Sequence, residues 1–137
     1  AYPEADLPQA VRSTGVEPQL RVAPEGGLDE AVVEAVRDLL ADVAGTVGVI
    51  CAPGQRDGVR ATLDGAALPA AERLAVVTSL ESKGLEYDGV LVVRPDQVVA
   101  ESPGGVRSLY VALTRPTQRL VTLDAAADPA GWRRSLG

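Results

Sequence analysis

Two short runs, Val47-Gly-Val-Ile-Cys51 and Gly89-Val-Leu-Val-Val93, contain no polar side chain. Each is followed by a chain-stopping residue: Pro53-Gly54 after the first, Pro95 after the second. A strand with one wet face alternates apolar with polar. A strand without alternation has both faces covered, as in a parallel sheet between helices. Ahead of the first run, Leu28, Ala31, Val32, Ala35, Val36, Leu39, Leu40 and Val43 recur at helical spacing and predict an amphipathic helix. Asp29 and Glu30 fall in its first turn, where the helix dipole favours carboxylates. Gly45 is placed to end it. The alternation continues with an edge strand over Gln19–Val22 and a weaker helix over Gln55–Leu63, followed by a loop at Asp64-Gly65. Strands are expected over Leu74–Thr78 and Leu120–Leu123, and a helix over Gly105–Leu113. Strands alternating with helices specify an α/β domain of three layers with a mostly parallel sheet.

The chain has 137 residues, enough for one domain with a real core and not for two of usual size. Residues 1–18 carry three prolines and read as a linker leading in from an upstream domain, 19–124 as the folded domain, and 125–137, with Trp132, as a C-terminal tail. The chain starts at Ala1 and has no methionine, which reads as a piece of a longer polypeptide. A net charge of -6 argues against a surface that coats nucleic acid, while leaving room for a local basic contact. No apolar run approaches the ~18 residues of a membrane span, and no basic-then-apolar leader is present, so a cytoplasmic location without membrane contact is expected. The absence of histidine removes Ser-His-Asp chemistry and imidazole metal ligands, and a single cysteine removes disulfides and thiolate metal sites. Cys51, at the end of an apolar strand with no histidine to activate it, reads as a core residue. No metal site is expected.

Of thirteen basic residues, twelve are arginine and one is Lys83. Lysine is a compact point charge and arginine a planar fork, so a lone lysine in an arginine-biased chain marks a position with its own requirement. It lies in Thr78-Ser-Leu-Glu-Ser-Lys-Gly-Leu-Glu-Tyr-Asp88. About twenty-five residues later comes Tyr110-Val-Ala-Leu-Thr-Arg115, leading through Gln118-Arg-Leu-Val into a strand. The segment from Ser79 to Glu86 leaves the end of a strand, where ligands bind in open α/β sheets, so it is expected on that rim. Lys-Gly-Leu-Glu alone is a weak signal, and by itself reads better as a strand-turn-strand link with a solvated Lys-Glu pair. The two segments in this order and spacing are more specific.

Together they resemble motifs V and VI of superfamily 1 helicases of the UvrD/Rep type, over about Leu74 to Asp124. The resemblance implies the second RecA-like (P-loop NTPase-type) domain of an ATP-dependent hydrolase. Its partners would be the first RecA-like domain of the same polypeptide and a single-stranded DNA track or RNA polymerase. By that resemblance Glu86 accepts hydrogen bonds from the ribose hydroxyls of ATP, and Gly84 lets a ligand approach the backbone. Lys83 orders the loop or nears a phosphate, and Thr78, Ser79 and Leu80 form the nucleic-acid-facing loop. Arg115 is the catalytic residue, reaching the γ-phosphate across the domain cleft with a fork that matches phosphate oxygens. The bland role for an arginine here, favouring a helix C-terminus, falls to Arg119. Many DNA-translocating relatives carry a histidine where this chain has Leu80, and the surrounding residues look closer to the HelD-like, RNA-polymerase-associated branch. No Gly-x-x-x-x-Gly-Lys-[Ser/Thr] phosphate loop and no magnesium-binding Asp-Glu pair is present. The fragment is therefore expected to be inactive and to bind ATP with Mg2+ only as part of the whole protein. The alternative is a non-catalytic α/β protein-interaction module with degenerate motifs.

Overall fold

The computed structural model describes residues 16–102 and 104–125. Most of the expected lead-in linker and, apart from Ala125, the expected tail with Trp132 lie outside them. Five strands form one sheet in the order β1-β5-β4-β2-β3: β1 Pro18–Ala23, β2 Val47–Cys51, β3 Leu74–Thr78, β4 Tyr87–Val93 and β5 Pro116–Ala125. Every pairing is parallel, so the sheet is wholly and not just mostly parallel. Val16, buried, and Pro18, the first residue of β1, already pack with the domain.

Helices cover both faces and complete the three layers. On one face lie α1, Leu28–Asp42, and α2, Arg56–Gly65. The buried stripe of α1, Val32, Ala35, Val36, Leu39 and Leu40, follows the helical period and packs on Val47, Val49, Leu91 and Val121. Val36 and Leu39 are at most 1 % exposed, and burying each contributes roughly 1.5–3 kcal/mol. The other face carries the single turn α3, Ser79–Ser82, with α4, Pro95–Glu101, and α5, Val106–Leu113. Val98, Leu109, Ala112 and Leu113 there meet Ile50, Val90, Val92 and Leu120. The uniform burial of β2 is the two-sided cover that its unbroken apolar run demands.

Three local expectations need correction. α1 ends at Asp42, with Val43 already extended, so Gly45 is not its terminator. Arg73 binds the chain around this end: Nη2 donates to Leu40 O in the last turn at 2.5 Å, and Nη1 to Val43 O at 2.8 Å and Gly45 O at 2.9 Å just beyond it. α2 runs through Asp64-Gly65 instead of stopping before it. Pro95 does stop β4, but it also opens α4, where a missing N–H costs nothing at the first helical position. Arg94 makes the corner at φ 48°, and its N–H reaches Leu123 O at 2.7 Å. A left-handed non-glycine residue of this kind costs on the order of 1 kcal/mol or more.

Candidate functional site

The Thr78–Asp88 segment crosses the sheet from one end to the other. Cys51 pairs with Thr78, and Ile50 with Val92, so Thr78 stands level with Val93. Tyr87 begins the same β4 strand six residues lower, roughly 20 Å along the sheet at strand rise. Only the start of the segment lies on the carboxyl rim. Lys83, Gly84 and Glu86 are carried toward the amino-terminal end, which corrects the rim expected from sequence.

At the carboxyl rim, Thr78, Ser79 and Leu80 form the head of α3 and not a loop. Thr78 Oγ1 accepts from the Glu81 N–H at 3.3 Å while Glu81 Oε1 accepts from the Thr78 N–H at 2.8 Å, a reciprocal capping box. Arg56, just after β2, closes a 2.6 Å ion pair on the other Glu81 oxygen. The Thr78 N–H, and after it the Arg56 charge, hold the Glu81 carboxyl below the usual carboxylate range. The Ser79 hydroxyl is buried and donates to Ser108 O in α5, and Ser82 Oγ donates to Ser79 O at 2.7 Å. Leu80 is 68 % exposed. Of the three residues expected to face nucleic acid, one is buried, one caps a helix and one offers only an apolar side chain. Nearby, burial pushes the Cys51 thiol up to about 11, consistent with a core residue and not a nucleophile.

The chain then makes a tight turn. Lys83 has φ -60° and ψ 128°, Gly84 has φ 83°, and Leu85 N donates to Ser82 O at 2.9 Å. These are the angles of a type II turn, whose third residue needs a positive φ and so a glycine. Space around Gly84 is open, so backbone conformation is the first reason for that residue. The Lys83 and Glu86 side chains are exposed. Tyr87 then turns inward, its ring lying where any side chain on Gly48 would collide with it.

The second segment arrives at the same place. α5 ends at Leu113, and Arg115 folds back over its C-terminus: Nε donates to Val111 O at 3.1 Å and Nη2 to Thr114 Oγ1 at 3.1 Å. Nη1 donates to Leu85 O at 3.3 Å, and Arg115 O accepts from Tyr87 N at 3.2 Å. Glu86 is thus bracketed by two residues bonded to Arg115. The structure brings together Lys83, Gly84, Glu86 and Arg115 at the amino-terminal ends of β4 and β5. It leaves Thr78, Ser79 and Leu80 at the opposite end. The helix C-terminal role assigned to Arg119 belongs to Arg115; Arg119 is exposed on β5 and donates to Gln118 O at 3.0 Å. Sequence reading missed Glu81, although Thr-x-x-Glu is a legible capping signal, and missed Arg73, which carries no local signal; Thr114 stood in the quoted motif without a role.

Among the described residues no cluster of carboxylates or thiols could hold a metal ion, and no helix is long and apolar enough to cross a membrane. The amino-terminal edge of β4 and β5 presents an exposed carboxylate, a lysine and a partly buried guanidinium. That set can accept from hydroxyls and donate to an anion. No family model matches the chain, and no curated protein matches it. Among solved structures it is similar to the C-terminal domain of a possible DNA helicase from Lactobacillus plantarum WCFS1. The TM-score is 0.68 at 20% identity over 94% of this chain and 91% of that one. At that identity the likeness is one of fold, a three-layer α/β domain of RecA-like form.

Proposed function

We propose that this chain is the C-terminal motor domain of an ATP-dependent superfamily 1 helicase or translocase of the UvrD/Rep type. In this reading it supplies Glu86 and Arg115 to ATP held with Mg2+ by a separate first RecA-like domain. The observation that carries the reading is the bond from Arg115 Nη1 to Leu85 O across thirty residues of sequence, which sets the arginine beside Glu86. The fold similarity to a domain described as part of a possible DNA helicase supports it.

The residues present fit part of a nucleotide. Glu86 is exposed and ionised carboxylates only accept, which suits ribose hydroxyls. Arg115 suits phosphate oxygens. Among the described residues no group of three carboxylates or thiols could hold a metal ion, and in this reading the ion is held by the other domain. ATP with its metal supplies the phosphoryl group for transfer; this chain orients the sugar and places positive charge at the far end.

Glu86→Ala in the full-length polypeptide should raise the KM for ATP severalfold while leaving kcat within a few-fold. It should also reduce the preference for ATP over 2′,3′-dideoxy-ATP. Unchanged discrimination between the two nucleotides would remove Glu86 from the ribose and, with it, this reading of the Lys-Gly-Leu-Glu segment.

A second reading, a non-catalytic module docking on RNA polymerase or another protein, is favoured by one observation. The carboxyl rim offers exposed Leu80 and paired charges, with the Ser79 hydroxyl turned inward. ATP turnover by the whole protein that depends on Arg115 separates the two.

A further inference from the structure

A guanidinium carries five N–H donors in one plane. In Arg115 three of them are engaged by the chain itself: Nε by Val111 O, Nη1 by Leu85 O and Nη2 by Thr114 Oγ1. Two N–H groups remain, one on each terminal nitrogen. Thr114 is the only one of these partners to contribute a side chain, and its orientation is itself fixed. Its hydroxyl donates its single hydrogen to Val111 O at 2.9 Å, so what it offers the guanidinium is a lone pair. Val111 O also receives the Thr114 N–H at 3.1 Å, which ties the threonine backbone to the last turn of α5.

We propose that Thr114 is a positioning residue. Its hydroxyl oxygen and the Leu85 carbonyl clamp the Arg115 fork, so that the remaining N–H pair is held ready for a phosphate anion. The proposal rests on the reading of Arg115 as a donor to the terminal phosphate. A free arginine side chain gives up rotamer freedom when it is ordered. Here that ordering is done by the fold before any ligand arrives, the condition under which a donor is most effective in a transition state. The Leu85 contact adds a consequence. The direction of the fork depends on the Leu85 carbonyl, just past the type II turn at Gly84.

The test compares Thr114→Val, Thr114→Ser and Arg115→Ala in the full-length polypeptide, by steady-state ATP hydrolysis and thermal midpoint. Valine keeps the shape and loses the acceptor; serine keeps the acceptor. Thr114→Val should lower kcat on the order of 10- to 100-fold, as small misplacements of a reacting group do. KM for ATP and the midpoint should stay close to those of the parent. Thr114→Ser should recover kcat to within a few-fold. If Arg115→Ala abolishes turnover and Thr114→Val does not, the positioning role is overturned and the reading of Arg115 stands. If Arg115→Ala leaves kcat unchanged, that reading fails and the role of Thr114 falls with it. A loss in both threonine variants that follows the midpoint would make the contact structural and likewise overturn the proposal.

Discussion

Single residues in this chain do work that their sequence context hides. Gly84 was open to a ligand-based explanation, yet its φ of 83° in a type II turn already requires glycine. Glu81, which the sequence reading does not single out, is the pivot at the start of α3, bonded to the Thr78 N–H and paired with Arg56. Its carboxyl is held below the usual range, so the folded state binds a proton less readily than the unfolded chain, where glutamate titrates near about 4.3. The stabilisation is therefore present above that value and is lost as pH falls through the lower, folded value. Urea midpoints of the domain and of Glu81→Gln should differ at pH 7 and converge below the folded value. Because the group is exposed, the difference should be small and should shrink in high salt. A gap that stays constant with pH would remove the ionised carboxylate as its cause.

At the scale of elements, periodicity and unbroken apolar runs located β1 to β5, α1 and α5 within a few residues. What they missed has local causes. Pro95 reads equally as a strand stop and a helix start, so α4 was invisible. α3 is a single turn, too short for any period, and only its capping box betrays it. Gly45 reads as the end of α1 because glycine is the usual sign, while the fold uses Arg73, distant in sequence, to bond Leu40 O in the last turn and Val43 O and Gly45 O just beyond it. The last carbonyls of a helix have no partner within it, and for Leu40 O a charged donor is among the stronger ways to supply one. Arg73→Ala should lower stability on the order of 2 kcal/mol by denaturant titration. Arg73→Lys should recover less than half, because an ammonium cannot reach Leu40 O and Gly45 O as a planar fork does. Full recovery by lysine would mean that charge near the helix end, and not the fork, provides the effect.

For the whole molecule, the class of fold was legible and the placement of the Ser79–Glu86 segment only partly so. Apolar runs dictate a covered parallel sheet, but strand order and register are set by packing between distant elements, which no local pattern encodes. The rule that ligands gather at carboxyl ends put all of Ser79–Glu86 on one rim. The crossover instead carries Glu86 to the other end, where β5 and Arg115 are waiting. Resemblance named the residues, and the fold decided which could meet. It also gave Arg115 more contacts than a projecting side chain would have, so its removal has a structural cost that any kinetic test must separate.

The central claim is that Arg115 acts on bound nucleotide and does not simply cap α5. The direct measurement is kcat for ATP hydrolysis by the full-length polypeptide carrying Arg115→Ala, Arg115→Lys or Arg119→Ala, well below each variant's thermal midpoint. Both Arg115 variants should lose on the order of 10³-fold or more in kcat, with lysine giving no rescue, and Arg119→Ala should stay within a few-fold of the parent. Equal losses at the two positions, or losses at Arg115 that track the fall in midpoint, would contradict the account and leave the arginine a helix cap.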